Sequence, residues 1–186
     1  MVFFRMKSVE DLENGIYNSN VKNNPADISK ERKMQIIKLT DKYKEEVFGM
    51  MKVFYASSAV IHKSSEAVLT RDIYDCIADN PFIEGYVFKE EDDVIGYSMV
   101  SKNYTTEYGG LCIWIEDLYF KEQARGKGYA AVYFRFLEDT YREAVRFKLE
   151  VEAENTSAIE AYHKSGYEIS EYHLMTKEMD KDLGGK

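Results

Sequence analysis

Three groups of residues in this chain have the types and spacing for chemistry. The first is QARGKGYA, residues 123–130, set between an apolar strand-like run and a helical pattern. Glycines placed there let successive backbone N–H groups converge on one point beside the positive end of a helix dipole, and such a nest suits a diphosphate. Read alone, a two-glycine turn fits a plain connector equally well. Its lysine is followed by Gly128 rather than Ser or Thr, so it is not the phosphate loop of nucleotide hydrolases, and its glycine spacing is not a dinucleotide fingerprint. The second group is Glu116 and Asp117, two carboxylates inside LCIWIEDLYF. That run is apolar enough to read as a strand covered on both faces near the centre of its sheet. Adjacent strand residues point to opposite faces, so only one of the pair can line a given cleft. The third is AENTSAIEAYHKSGY, a capped short helix carrying Tyr162, with Asn155 or Thr156 at its start and Gly166 as terminator.

The elements that must hold these groups follow from the periodicity. MQIIKL reads as a strand, and Val47, Met50, Met51, Phe54 and Tyr55 recur at helical spacing after it. EAVLTRDIYDCIADN predicts a second helix stopped by Asn80-Pro81. GYVFKEEDDVIGYSMVSK reads as a hairpin with an acidic turn, followed by a polar loop, NYTTEYGG. Beyond the glycine turn, Ala130, Phe134, Leu137 and Tyr141 predict an amphipathic helix ending near Arg142, then a strand, FKLEVEA. After the Tyr162 helix come strand-like YEIS and YHLMTKEM. At 186 residues with 45% hydrophobic content the chain fits one domain, placed at 34–180 with a polar tail at 181–186. Residues 14–33 read as a polar connector inside an extension, 1–33, whose Val2, Phe3, Phe4, Met6, Val9 and Leu12 could form one face of a short helix.

Composition narrows the function. A net charge of −8 argues against a protein that tracks nucleic-acid phosphates, which needs a basic face. It suits a cationic substrate, and equally a plain solubility surplus. Cys76 and Cys112 lie far apart in apolar surroundings and read as reduced, buried thiols; with His62, His163 and His173 they form no ligand pattern, so no protein-bound metal is expected. No apolar run has transmembrane length, and MVFFRMKSVEDLEN turns acidic before a signal-peptide core could form, so the expected location is cytoplasmic, without membrane association. KGYAAVYF approximates an RNA-recognition strand motif, but Ala131 stands where an aromatic belongs and the local period is helical.

Taken together, EDLYFKEQARGKGYA and EVEAENTSAIEAYHKSGYE, in this order and at this separation, resemble the GNAT superfamily of acetyl-coenzyme A-dependent N-acetyltransferases. The first is similar to that family's central strand and R/Q-x-x-G-x-G/A turn, with Arg125, Gly128 and Ala130 in the consensus places; the second is similar to its next strand, Asn, short helix with a tyrosine, and closing glycine-aromatic pair. The resemblance covers roughly Met34 to Met179. One departure is Glu122, where many members have proline, which bears on loop stiffness more than on chemistry. The implied fold is α/β (α+β), a mixed, mostly antiparallel central sheet of about six to seven strands flanked by helices, with the central strand splayed at the cofactor site.

The resemblance also implies roles. The backbone of Leu118, Tyr119 and Phe120 would hold the pantetheine arm and acetyl carbonyl of acetyl-CoA, and the N–H groups of Gly126, Lys127, Gly128, Tyr129 and Ala130, with Arg125, would meet its diphosphate. Asn155 resembles the family's cofactor-arm contact, though an N-cap role explains it equally well. Tyr162 matches the tyrosine that in many members protonates the departing thiolate, a task that a phenol of pKa near 10 fits. Attack on the thioester needs a neutral amine. Glu116 aligns with an acidic position used through water as a base, and placement near the core would lift its pKa toward neutrality. The implied reaction is direct transfer from acetyl-CoA to a primary amine in a ternary complex, with a polyamine or other small cation as first acceptor, an aminoglycoside, amino acid or protein N-terminus as the other acceptor classes, and a pocket built from residues 56–80 and 104–110. The alternatives are a non-catalytic acyl-CoA-binding regulatory module and an RNA-binding domain. Many family members dimerise through their later strands, which implies a homodimer.

Overall fold

The computed structural model describes residues 16–21 and 32–179. Six strands form one sheet in chain order: β1 (Ile16–Val21), β2 (Arg32–Lys38), β3 (Ile83–Glu90), β4 (Asp93–Thr105), β5 (Gly110–Phe120) and β6 (Ala144–Leu149). All neighbours pair antiparallel except β5 and β6, which are parallel. A parallel pair cannot be closed by a tight turn, and the crossover here is the helix after the glycine turn, α3 (Tyr129–Thr140). The other helices are α1 (Lys44–Ala56), α2 (Glu66–Ile77) and α4 (Thr156–Lys164).

Strand alternation splits the interior into two cores. Ile36, Phe88, Ile95, Val100, Ile113 and Ile115 face α3, where Tyr133, Phe134 and Leu137 cover them. Val87, Val94, Tyr97, Met99 and Tyr119 face the opposite side, against Val47, Met50 and Met51 of α1 and Leu69, Ile73 and Cys76 of α2. Each fully buried aliphatic side chain of this kind contributes about 1.5–3 kcal/mol. Ser65 starts α2 by accepting a hydrogen bond from the Val68 N–H, and Gly85 lets β3 approach it, since a Cβ there would lie 2.8 Å from Leu39 and 3.1 Å from Cys76.

Several boundaries differ from the sequence reading. Residues 16–21, expected within a connector, pair with β2, which itself begins at Arg32. The loop expected at 103–110 shrinks to a turn, because β4 runs on to Thr105 and pairs with Gly110. The strand expected as FKLEVEA lies three residues earlier, at Ala144–Leu149, and the strand-like 167–170 and 172–179 form no strand, leaving Ile169, Tyr172, Leu174, Met175 and Met179 exposed. Apolar alternation alone does not make a strand unless a neighbouring edge is in reach. The candidate helix face in residues 2–12 and the tail at 181–186 lie outside the described residues.

Two irregularities of β5 open the sheet and redirect one of its carboxylates. Its pairing with β6 ends at Ile115–Leu149, and among the described residues nothing pairs with that edge of β5 from Glu116 to Phe120, so the two strands part there. On the other edge Asp117 pairs with Met99 and Ile115 with Val100, so Glu116 is an extra residue in the ladder, a β-bulge.

Candidate active site

The gap between β5 and β6 opens into a cleft lined by Phe54 and Ala59 from the α1 end, Ile115, Glu116 and Leu118 of β5, residues 149–152 beyond β6, and Asn155 and Tyr162. Thus Glu116, Leu118, Asn155 and Tyr162, four of the residues singled out in the sequence, face one space. Tyr119 turns its ring to the α1 side, and Phe120 stacks on Phe88 with ring centroids 4.8 Å apart. Gly96 permits this part of the sheet, because a Cβ there would lie 2.3 Å from the Tyr119 carbonyl oxygen.

Beyond Phe120 the chain makes a short turn at Glu122–Ala124, then reaches Gly126 and Gly128 at φ of 71° and 80°. Both are left-handed conformations that cost other L-residues about 1–2 kcal/mol. Gly128 is also the N-cap of α3, so the N–H groups that open the helix lie immediately beyond the turn, with the positive end of its dipole. Tyr129 is buried and anchors that first turn in the α3 core, with Ala130 partly buried beside it. Arg125 folds back, its Nε donating to the Phe120 carbonyl at 2.9 Å, while Lys127 pairs with Glu90 at 3.0 Å. This part of the site is made of backbone and two positive-φ glycines. The aromatic residues of KGYAAVYF lie on α3 with Tyr129, Tyr133 and Phe134 buried, so they offer no strand face on which bases could stack.

Tyr162 is held on α4 by an edge-on contact with Phe134, 5.7 Å between centroids, and by Tyr167 at 6.3 Å. Burial pushes its pKa above the ordinary tyrosine value, so it keeps its proton at neutral pH and can donate it. Asn155 caps α4: its side-chain oxygen accepts from the Ala158 N–H at 3.4 Å. Two basic residues, His163 and Lys164, close the helix, and Gly166 comes next but one at φ 86°.

Of the two carboxylates, the one near the core is Asp117, not Glu116. Glu116, which placement near the core was to activate, is exposed and accepts a hydrogen bond from Ser101 at 2.5 Å; the bulge turns it into the cleft rather than into a core. Asp117 is the buried one, 3% exposed, on the α1 side. Its Oδ1 accepts from Tyr55 at 3.1 Å and its Oδ2 from Tyr97 at 3.0 Å. Burial pushes its pKa up to about 6, against the lowering effect of both phenols, and the nearby negative charges of Asp72 and Glu116 add to the rise. Tyr55 and Tyr97 were missed as site residues. In the sequence Tyr55 is one apolar position of a helix, and its partner lies 62 residues further on, a separation that no local pattern reveals.

The relatives of this chain share its fold. The profile of the acetyltransferase (GNAT) family matches residues 39–167. The chain belongs to that family, and it is an acetyltransferase by class. Comparison with curated proteins by sequence yields no match. Among solved structures, a possible acetyltransferase from Clostridium difficile 630 superimposes with a TM-score of 0.66 at 19% identity, covering 80% of this chain and 99% of that one. The aminoglycoside N-acetyltransferase AAC(6')-Iy in complex with CoA gives 0.66 at 13% identity, over 81% and 98% of the two chains. A predicted acetyltransferase with acetyl-CoA from Clostridium acetobutylicum gives 0.60 at 18%, over 77% and 96%. At these identities the likeness is one of fold.

Proposed function

We propose that this protein is an N-acetyltransferase that moves an acetyl group from acetyl-CoA to a primary amine by direct attack in a ternary complex. The observation that carries the reading is the meeting of an unpaired strand edge, Glu116 to Phe120, with Tyr162 across one cleft whose strand continues into the Gly126–Gly128 turn and the start of α3. The residues present fit acetyl-CoA. Past Ile115 the outer edge of β5 has no strand partner among the described residues, so its outward-facing backbone at Leu118 and Phe120, the Phe120 carbonyl being shared with Arg125, can hydrogen-bond an extended amide-bearing arm beside Tyr119, and positive-φ glycines before a helix N-terminus suit a diphosphate. Arg125 adds positive charge beside that turn, Lys127 being ion-paired with Glu90, and Asn155 stands at the cleft as the cap of α4.

In this reading Glu116 acts through water as the base that leaves the amine neutral, and Tyr162 protonates the thiolate as the C–S bond breaks. Acidic groups around the cleft, Glu116, Glu150 and Glu152, favour a small cationic acceptor such as a polyamine. AAC(6')-Iy, an aminoglycoside N-acetyltransferase, makes an aminoglycoside a second acceptor class to test. The catalytic unit is taken as 34–180, acting in the cytoplasm without nucleic acid, membrane or metal. The exposed apolar residues of 169–179 favour a homodimer that covers them.

Thiol release from acetyl-CoA in the presence of an amine panel tests the reading. Release with one class of amine is expected. Tight acetyl-CoA binding with no release for any amine would instead favour a regulatory acyl-CoA-binding module.

A further inference from the structure

Asp117 is the one carboxylate in the described sheet that is almost fully buried, and the proposed transfer gives it no part. It sits where three elements meet. Tyr55 reaches it from α1, Tyr97 from β4, and Asp72 and Cys76 face it from α2, while Glu116 precedes it on β5. The two phenols differ in one respect. Tyr97 is completely buried, whereas Tyr55 is half-buried, its ring edge-on to Phe54 at 5.5 Å, and Phe54 lines the cleft. Of Asp117's two hydrogen-bond partners, Tyr55 is the one beside the cleft: it follows cleft-lining Phe54 on α1, it is not fully buried, and its pKa, raised by burial and by Asp117, is pushed up further by the negative charge of Glu116 in the cleft.

We infer that Tyr55 and Asp117 form a proton relay that carries the acceptor ammonium's proton out of the cleft, with Asp117 as the final acceptor. This rests on the acetyl-transfer reading above. In the step, one N–H bond of the ammonium breaks and its proton, directly or through a water, bonds to the phenol oxygen of Tyr55. The phenol's own proton passes along the 3.1 Å hydrogen bond to Asp117 Oδ1. The amine is left neutral with its lone pair, Tyr55 is again a phenol, and Asp117 is a neutral carboxylic acid that Tyr97 still holds through its other oxygen. After the thiol leaves, the reverse passage returns the proton to water. In this step the relay replaces Glu116 as the base; Glu116 stays ionised in the cleft, where it attracts and orients the ammonium. A buried acid lifted toward neutrality takes a proton near physiological pH more readily than an ordinary aspartate, which supports the geometry.

The test compares kcat–pH profiles of the wild-type protein, Tyr55→Phe and Tyr97→Phe, with the amine that the panel selects. Each substitution removes one hydrogen bond to the ionised Asp117 and raises its pKa, so a purely structural role predicts the same effect for both: a changed pH dependence of the melting temperature with the kcat plateau unchanged. The relay predicts in addition that Tyr55→Phe alone lowers the plateau, by about ten-fold or more, with KM for acetyl-CoA unchanged. Asp117→Asn should lower the plateau as Tyr55→Phe does, and combining the two should add little, as for two parts of one path. A full plateau for Tyr55→Phe, or an equal loss for Tyr97→Phe, overturns the relay. Melting temperatures accompany each profile, and if Asp117→Asn does not fold the two phenylalanine variants still decide. A wild-type protein that acetylates no amine overturns the acetyl-transfer reading itself, which is a separate result.

Discussion

At one end of β5 the cleft runs toward a turn built from backbone: two positive-φ glycines and the opening of α3, with few side chains involved beyond Arg125 and Lys127. A few residues earlier on the same strand, where β5 passes α1 and α2, it is built from side chains: Glu116 in the cleft, Asp117 beneath, and Tyr55 and Tyr97 holding the buried acid. A backbone site serves any chain that can form the turn, and it recognises a group common to many reactions. A side-chain site is particular to its sequence and is where an acceptor is chosen and its protons handled. The two ends should therefore respond to mutation in different ways, cofactor affinity at the first and pH dependence or turnover at the second.

Replacement of Tyr162 by phenylalanine gives the largest expected effect on turnover, a fall on the order of 10²–10⁴ in kcat with acetyl-CoA affinity nearly unchanged. Steady-state kinetics beside calorimetric binding checks it, and unchanged turnover removes Tyr162 from the acid role. Gly128→Val forces a β-branched residue into a left-handed conformation costing about 1–3 kcal/mol. Acetyl-CoA binding should weaken by roughly ten- to a hundred-fold, measured by titration, while retained affinity would detach the turn from the cofactor. Glu116→Gln should move or flatten the acidic limb of the rate–pH profile, and an unaltered limb points to another base.

Smaller effects concern stability. Because the folded pKa of Asp117, about 6, lies above that of an unfolded aspartate, the folded protein binds the extra proton. Its contribution is most favourable below the unfolded pKa near 4 and is lost as pH rises through 6, a swing of about 3 kcal/mol at most. Asp117→Asn should therefore flatten the melting-temperature profile between pH 4 and 7 and relieve the burial cost at pH 8. Asn155→Ala removes the α4 cap and should cost about 1 kcal/mol in denaturant titration, with a further loss of acetyl-CoA affinity only if Asn155 also contacts the cofactor.

Much of the backbone end was legible in the sequence. The glycine turn, the apolar β5 and the capped Tyr162 helix announce themselves within a few residues, and their order carried the family resemblance. The fold was readable where periodicity was strong, in α1, α2, α3 and β3 to β5. It was misread where a strand depends on a distant partner, at 16–21 and 167–179. The side-chain end was legible only in outline. Two adjacent acids were visible, yet which one is buried depends on a bulge at Glu116 and on which helix lies over each face of β5. Neither feature leaves a trace in the spacing of the residues themselves.

The parallel seam between β5 and β6 has a consequence for how the molecule assembles. Strands β3 to β5 join through short antiparallel connections, whereas β6 meets β5 only after the whole of α3 has been laid down. Contacts separated by longer stretches of chain form later in folding. The edge carrying β6 and α4, and with it Tyr162, should therefore lock after the β3–β4–β5 meander, as should the pairing of β2 with β3, which spans still more chain. Backbone hydrogen exchange should then be faster along β6 than in β4, and the cleft would exist fully only in molecules whose β6 has docked.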